Sequence, residues 1–336
     1  MTAADAAPTL ARSPLDLEAL LHGVGERRPR ALGRALSLIE RDGAEREQLV
    51  RRLFPERGRA TVVGVTGPSG SGKSTLVDRL ARLLRERDRT VAILAIDPSS
   101  PLSGGALLGD RVRMQTLYTD PGVFIRSMAT RGALGGLAAS AHDAIDLLDA
   151  AGFDWVLVET VGVGQDEVDV VKAVETVVVV SVPGMGDGIQ AIKAGVLEIA
   201  DVFVVNKADH DGAERTVHDL KAMVREGEGG GWLPPVVETV ATESTGIDAL
   251  LEEVERHRAW AAESGAGAGR RRDQLELRIE AALGDLARSA ADAEDLDAAI
   301  DAAIAAGEHP STTAARLFDT ICRRRAAQKG APGEAE

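Results

Sequence analysis

Several residue types and patterns are scarce in this sequence, and each scarcity excludes a class of protein. The 336 residues include a single cysteine, Cys322, which rules out an internal disulfide. Apolar runs such as Val177–Val180 are strand-sized, well below the roughly 20 residues that cross a bilayer. The opening stretch, "MTAADAAPTL", has neither the basic nor the apolar segment of a secretory signal. We therefore expect a cytoplasmic protein that has no membrane segment.

Positive charge is also in short supply. Lys and Arg number 39 against 53 Asp and Glu, which gives a net charge of −14. An acidic chain has no general attraction to nucleic acid or to anionic lipid, so we expect neither as a partner. The hydrophobic share of 44% nevertheless suffices for a sizeable core. Any anionic ligand must then bind at a local site.

The middle of the chain alternates between short β-rich segments and helical patterns. Because these segments are apolar at consecutive positions, they are typical of strands that are buried on both faces of a parallel sheet. The sequence thus predicts an α/β fold with a mostly parallel sheet covered by helices. The predicted strands are "ATVVGVT", "TVAILAID", "GVFIRSM", "DWVLVET", "TVVVVSV", "DVFVVNK" and "PVVETVA".

Composition divides the chain into three predicted regions. Residues 1–58 carry apolar positions at helical spacing among many Arg and Glu, which predicts a helical N-terminal extension. Residues 59–263 carry the alternating pattern, and residues 264–336 are Ala-rich, which predicts a helical C-terminal extension. Between them, "ESGAGAGRRRD" at residues 263–273 predicts a Gly/Ala linker that leads into a solvated helix start. Cys322 fits a small core residue of a later helix.

A glycine-rich segment directly follows the first predicted strand and directly precedes an amphipathic helix. It contains Gly67-x-x-x-x-Gly72-Lys73-Ser74, which is the spacing of a phosphate-binding loop, or P-loop. The glycines let backbone N–H groups turn toward phosphates, and the helix N-terminus adds further N–H groups and a positive dipole end. Lys73 would act as a catalytic contact to the β- and γ-phosphates, and the Ser74 hydroxyl would bind Mg²⁺. The predicted nucleotide-binding residues of this loop are Gly67, Pro68, Ser69, Gly70, Ser71, Gly72, Lys73, Ser74 and Thr75.

A second motif, Asn206-Lys207-x-Asp209, follows a later predicted strand and indicates which base is bound. An Asp carboxylate there can accept hydrogen bonds from guanine N1 and N2, whereas adenine would leave the charge unpaired. Asn206 would join the base-binding loop to the P-loop, and Lys207 would lie along the base. The expected nucleotides are therefore GTP and GDP.

The stretch "VETVGVGQDE", residues 158–167, resembles the Asp-x-x-Gly loop with which GTPases sense the γ-phosphate, with Glu159 in place of Asp. Glu159 ends a predicted strand, so its carboxylate can approach Mg²⁺ through a coordinated water, as a catalytic and metal-side residue. Gly162 can offer its N–H to the γ-phosphate. Asp97 and Asp110 are the further Mg²⁺ candidates. The alternatives are a strand cap for Glu159 and turn chemistry for the two Asp residues.

Together with the P-loop and "NKAD", four further segments resemble the MeaB/ArgK family of P-loop GTPases over about residues 15–325. These segments are "DPSSPLSGGALLGDRVRM", "RSMATRGALGGLA", "ETVGVGQDE" and "PGMGDGIQAIKAG". The resemblance implies a chaperone of an adenosylcobalamin-dependent methylmalonyl-CoA mutase that assists cofactor loading and protection. It also implies a homodimer held partly by the C-terminal helices. The chain has no Asp-x-His-x-x-Gly pattern, so we expect any cobalamin to be bound by the partner.

The same resemblance assigns roles to segments around the nucleotide. It maps Asp97, Asp110 and Glu159 onto magnesium-side positions, residues 97–113 onto a first switch and residues 160–169 onto a second. Residues 183–193 map onto a third, partner-coupled switch that includes Lys193 as a catalytic candidate. Three arginines could also neutralise transition-state charge, although such residues more often pair with nearby acids. They are Arg111, Arg126 and Arg131.

No Gln directly follows Gly162 to orient an attacking water, and Gln165 is three residues further on. We therefore expect slow intrinsic hydrolysis, which suits a switch. The main alternative is an ArgK-type phosphotransferase that acts on a transport-related protein, and a binding module without hydrolysis is another. A metal-inserting GTPase would need a Cys or His ligand cluster, and a protein-targeting GTPase a Met-rich domain. One Cys, six His and five Met argue against both.

Overall fold

The computed structural model describes most of the chain in two compact units, Met1–Arg270 and Arg271–Glu336. The described residues are 16–41, 43–97, 117–129, 136–160, 173–184, 199–226, 231–291 and 293–330. The helices are α1 (Leu17–Gly25), α2 (Pro29–Ile39), α3 (Ala44–Leu53), α4 (Lys73–Glu86), α5 (Gly136–Ala150), α6 (Ala213–Glu226), α7 (Ile247–Ser264), α8 (Ala266–Ala290), α9 (Ala293–Ala306) and α10 (Pro310–Gly330). Short 3₁₀ turns occupy Phe54–Glu56, Leu117–Thr119 and Ala241–Glu243.

A seven-stranded parallel sheet forms the centre of the first unit, which confirms the predicted fold class. Its strand order is β3-β2-β4-β1-β5-β6-β7, and every pairing is parallel. Each of the seven predicted segments coincides with one strand, although β3 extends one residue beyond its predicted segment, to Ala129. The strands are β1 (Thr61–Thr66), β2 (Val91–Asp97), β3 (Val123–Ala129), β4 (Trp155–Thr160), β5 (Thr176–Ser181), β6 (Val202–Asn206) and β7 (Val236–Thr239).

Helices cover the sheet on both faces, as strands that are apolar at consecutive positions require. One face packs against α1, α2, α3, α5 and α6, and the other packs against α4 and α7. The N-terminal helices belong fully to the first of these cores, where Leu32, Leu36 and Ile39 of α2 are completely buried. The predicted boundaries at residues 58/59 and 263/264 stay a prediction.

The predicted linker at residues 263–273 is wrong. Helix α7 continues to Ser264, and only Gly265, with a φ of +80°, separates it from α8 at Ala266. A left-handed glycine ends one helix, and the Ala and Arg residues that follow are strong helix formers, so the next helix begins at once.

Arg270 is not a solvated helix residue, because it pairs with a buried carboxylate. Its Nη1 and Nη2 donate to Asp201 Oδ2 and Oδ1 at 2.7 and 2.8 Å. Asp201 Oδ2 also accepts from Val177 N at 2.8 Å, and His257 Nε2 lies 3.2 Å from Oδ1. Burial alone would raise the pKa of Asp201, but the hydrogen bonds and charges of Arg270 and His257 outweigh it and lower that pKa. This ionic cluster attaches the start of α8 to the amino ends of β5 and β6.

The second unit is helical, and α9 and α10 contact each other within it. Cys322 of α10 is exposed, so the expectation of a core position is wrong. Large apolar side chains are also exposed on α8, α9 and α10. They are Leu275, Leu277, Ile279, Leu283, Leu286, Leu296, Ile300, Ile304 and Phe318. Across the described residues of both units, none of the helices has the length and apolarity needed to cross a membrane.

Candidate functional site

The P-loop connects β1 to α4 at the carboxyl edge of the sheet. Gly67 has a φ of +148°, and a Cβ there would lie 2.2 Å from the Val180 carbonyl oxygen. Gly72 has a φ of +91°, and its Cβ would lie 2.3 Å from Asn206 Nδ2. Both positions therefore require glycine, because the loop passes directly against β5 and against the base-binding loop. Ser69 and Gly70, at the tip, are exposed to solvent.

Lys73 is the first residue of α4, and its side chain folds back over the P-loop. The residue is only 5% exposed, and its Nζ donates to the Gly67 and Pro68 carbonyl oxygens at 2.7 and 2.9 Å. A buried ammonium group is thus held against the P-loop by two carbonyl groups of the loop itself. Phosphate oxygens are strong acceptors for such a group, so this arrangement suits a nucleotide polyphosphate.

The end of β4 is bonded to the start of α4. Ser74 Oγ donates to Glu159 Oε1 at 2.5 Å, and Glu159 is 6% exposed. The carboxylate therefore lies beside the P-loop, as the sequence predicted. A Ser hydroxyl and a carboxylate are hard oxygen ligands of the kind that Mg²⁺ prefers, so these two residues fit a magnesium site. The next residue, Thr160, donates from Oγ1 to Thr66 Oγ1 at 3.0 Å.

Asn206 joins three loops. Its Nδ2 donates to the Ser71 carbonyl oxygen at 2.8 Å, which is the link between base-binding loop and P-loop that the sequence predicted. Its Oδ1 accepts from Thr239 Oγ1 and from Ala241 N, both at 3.1 Å. Lys207 adds a second link, because its Nζ donates to the Gly70 carbonyl oxygen at 3.0 Å.

Thr239 and Ala241 are site residues that the sequence reasoning missed. They end β7 and begin the turn after it, at the same edge of the sheet as Asn206. A sequence signal for them exists, because "PVVETVA" predicts a strand and parallel strands bring their carboxyl ends to one edge of the sheet. The Ala208 N–H, which donates to the Thr239 carbonyl oxygen at 3.0 Å, further fixes the base-binding loop to this turn.

Asp209 lies two residues beyond Lys207 and remains open to solvent. Its side chain is 50% exposed, and His210 Nε2 lies 3.8 Å from Oδ2. A carboxylate that projects from a rigidly held loop can accept two hydrogen bonds from a guanine edge. The backbone of Lys207, two residues before Asp209, has a φ of +57°, which is a strained left-handed conformation for a residue other than glycine.

Arg126 is paired with an acid, which the sequence analysis gave as the more common role of such arginines than a catalytic one. Its Nη2 donates to Ser37 Oγ at 3.1 Å and to Glu40 Oε2 at 3.0 Å. These bonds attach β3 to the end of α2. Arg126 therefore holds the N-terminal helices against the sheet.

Several predicted positions lie outside the described residues. They are Asp110, Arg111, Arg131, Gly162, Gln165 and Lys193. The backbone of Asp97 ends β2, and its neighbour Ile96 pairs with Thr160 of β4, but its side chain is not described. Within the described part of the chain, no group of three or more His, Cys, Asp or Glu residues could hold a metal ion by itself.

Fold and site together define a P-loop GTPase: a P-loop at the central strand, a Ser–Glu pair beside it and a guanine-type base-binding loop attached to it. Residues 32–294 match the family model described as "Methylmalonyl Co-A mutase-associated GTPase MeaB". The chain belongs to this MeaB family. It therefore binds guanine nucleotides and hydrolyses GTP.

Known proteins support this assignment. A putative GTPase of Pyrococcus abyssi is 52% identical over 255 residues, which cover 75% of this chain and 79% of the relative. The GTPase ArgK of Escherichia coli is 38% identical over 237 residues, with 66% of this chain and 70% of the relative covered. A crystal structure described as LAO/AO transport system kinase has a TM-score of 0.69 at 24% identity and covers 93% of this chain and 99% of its own, which supports the fold.

Proposed function

We propose that this GTPase is a switch that assists cofactor loading and protection of an adenosylcobalamin-dependent methylmalonyl-CoA mutase. The family description names that mutase as the associated enzyme. One structural contact carries the proposal to this chain. Gly67, the first P-loop glycine, packs against the carbonyl group of Val180 in β5, so closely that a Cβ would clash. Strand β5 ends at Ser181, two residues before the proposed third switch at residues 183–193, so this contact supports a link between the P-loop and that switch.

The proposed cycle uses the site residues in two groups. Residues 67–75 hold the phosphates, Lys73 exchanges the two loop carbonyls for phosphate oxygens, and Asn206, Lys207 and Asp209 select guanine. Gly162 in the second switch senses the γ-phosphate, and Lys193 in the third switch assists hydrolysis. Loss of the γ-phosphate would then release both switches, as in other nucleotide-dependent switches.

Mg²⁺ is the proposed cofactor of the site. Ser74 and Glu159, whose oxygens are 2.5 Å apart, would hold it, with Asp97 and Asp110 as further proposed ligands. The ion would neutralise charge on the phosphates. We expect Glu159→Gln to raise the Mg²⁺ concentration needed for half-maximal GTP hydrolysis. If the Mg²⁺ concentration needed is unchanged, Glu159 is a strand cap and not a metal-side residue.

The decisive experiment mixes the purified protein with the mutase from the same cell. Complex formation is measured by size-exclusion chromatography without nucleotide, with GDP and with a non-hydrolysable GTP analogue, and phosphate release is measured in parallel. If the mutase distinguishes the two nucleotide states, linkage requires that it also shift the relative affinities for GTP and GDP. We also expect it to accelerate hydrolysis, because the second switch has no Gln directly after Gly162.

Lys73→Ala provides the matched control, because it removes the phosphate contact and leaves residues 183–193 intact. It should abolish both hydrolysis and the dependence of the complex on nucleotide. No complex in any nucleotide state, together with unchanged hydrolysis, would reject the mutase-assisting function. The phosphotransferase would then become the first hypothesis.

We also propose that the protein is a homodimer that associates through the second unit. Four exposed side chains of α8 recur at intervals of three or four residues and so form one apolar stripe. They are Leu275, Ile279, Leu283 and Leu286.

A further inference from the structure

Two buried threonines meet at the carboxyl edge of the sheet. Thr66 is the last residue of β1 and directly precedes Gly67, and Thr160 is the last residue of β4. Thr160 Oγ1 donates to Thr66 Oγ1 at 3.0 Å, and the two residues are 0% and 1% exposed, respectively. The bond therefore joins the residue before the P-loop to the first residue of the proposed second switch.

This bond lies where the backbone pairing of the two strands stops. The register of β1 with β4 ends at Val65 and Glu159, one residue before the threonines. On its other side, β1 remains paired with β5 as far as Thr66. The hydroxyl pair thus extends the contact between β1 and β4 beyond their last paired residues.

Neighbouring residues fix the same strand end from the other face of the sheet. Successive side chains of a strand point to opposite faces, so Glu159 and Thr160 diverge. Glu159 accepts from Ser74, at the C-terminal end of the P-loop, whereas Thr160 donates to Thr66, which directly precedes the loop. The end of β4 is therefore bonded to both ends of the P-loop, once on each face.

We propose that Thr160 and Thr66 are positioning residues for GTP hydrolysis, because their bond fixes where the second switch leaves the sheet relative to the P-loop. The proposal rests on the proposed function in one respect, namely that residues 160–169 sense the γ-phosphate. Thr160 lies two residues before Gly162, the residue proposed to sense the γ-phosphate, so a fixed position for Thr160 limits where that N–H group can lie. Without the anchor, the loop would contact the γ-phosphate in a smaller fraction of molecules.

The test is Thr160→Val, which nearly preserves the shape of the side chain and removes the hydroxyl. We expect kcat for GTP to fall roughly five- to tenfold, the size expected for loss of one buried hydrogen bond in the reacting state, with the affinity for GDP changed less than twofold. The preference for a non-hydrolysable GTP analogue over GDP should fall by a similar factor. Thr66→Val removes the same bond from the other strand and should give the same result, and Thr160→Ser should restore wild-type behaviour.

Thr176→Val is the matched control. Thr176 is a buried strand-end threonine, 1% exposed, whose Oγ1 shares a 2.9 Å hydrogen bond with His257 Nδ1, but it lies at the opposite, amino edge of the sheet. The Thr176→Val substitution should lower thermal stability about as much as Thr160→Val does, and it should leave kcat and the nucleotide preference unchanged.

Two results would overturn the proposal, and they are distinguishable. A wild-type preference for the GTP analogue that persists in Thr160→Val and in Thr66→Val would reject the threonine pair alone. A wild-type protein with equal affinity for the GTP analogue and GDP would reject the proposed switch, and the role of the pair with it.

Discussion

Asp209 lies on the base-binding loop with a side chain that is 50% exposed, so its chemistry can be changed at little cost to the fold. Asp209→Asn should weaken GDP binding by about tenfold or more, because a carboxylate that accepts from guanine becomes a group that also donates. Xanthine nucleotides should gain affinity, since xanthine accepts where guanine donates. Titration calorimetry with GDP, XDP and ADP measures both effects.

A nearby residue supplies the control for this substitution. Asp211→Asn changes the same charge two residues further along the exposed loop and should leave the preference for GDP intact. Equal affinity of the wild-type protein for ADP and GDP would contradict the assignment of Asp209 to the base.

Helix α8 depends at its start on Arg270, whose guanidinium group satisfies the buried carboxylate of Asp201. Arg270→Met should lower the free energy of unfolding at pH 7 by about 3 kcal/mol, the low end for a broken buried pair, because a third of this side chain is exposed. Arg51→Met, which removes an exposed pair with Glu47 at 3.5 Å, should cost less than about 1 kcal/mol. Urea denaturation followed by circular dichroism compares the two. Equal losses in the free energy of unfolding would show that the Arg270–Asp201 pair stabilises the fold no more than an exposed pair does.

The pH dependence of this element has a defined sign. The pKa of Asp201 is lowered in the folded protein, because the hydrogen bonds and charges of Arg270 and His257 outweigh the effect of burial. Its contribution to stability is therefore present above the unfolded pKa of about 3.9 and is lost as the pH falls through the lower folded value. The stability difference between wild type and Arg270→Met should accordingly be largest near pH 7 and shrink below about pH 4. A difference that grows on acidification would contradict the assignment.

The elements that the sequence predicted correctly share a local signal. Each strand is a short apolar run. The P-loop and the base-binding loop each come directly after such a run in the sequence. Where prediction was wrong, the deciding partner was distant or the local signal was ambiguous. Arg270 looked solvated because Asp201 is 69 residues away in the chain. The glycines of residues 265–269 suggested a linker, but their Ala and Arg neighbours favoured a helix.

At the scale of the whole molecule, the apolar stripe on α8 predicts association between copies. Leu283 is 59% exposed, and Leu283→Glu should convert a dimer into a monomer in sedimentation velocity, because a charge would be buried at the interface. Leu233→Glu is the matched control in the first unit, since Leu233 is 60% exposed and lies outside the stripe. It should leave the dimer intact. A monomeric wild-type protein would reject the proposed association.

The strand order also sets when a nucleotide can first bind during synthesis of the chain. Strand β1 is made early, yet its neighbours in the sheet are β4 and β5, which end at Thr160 and Ser181. The base-binding loop needs Asn206, and the side chain of Asn206 in turn needs Thr239 and Ala241. A guanine nucleotide can therefore make its base contacts only after these late residues have left the ribosome. After that point, we expect GTP or GDP to stabilise the assembled sheet by mass action, which would make the nucleotide a late folding ligand.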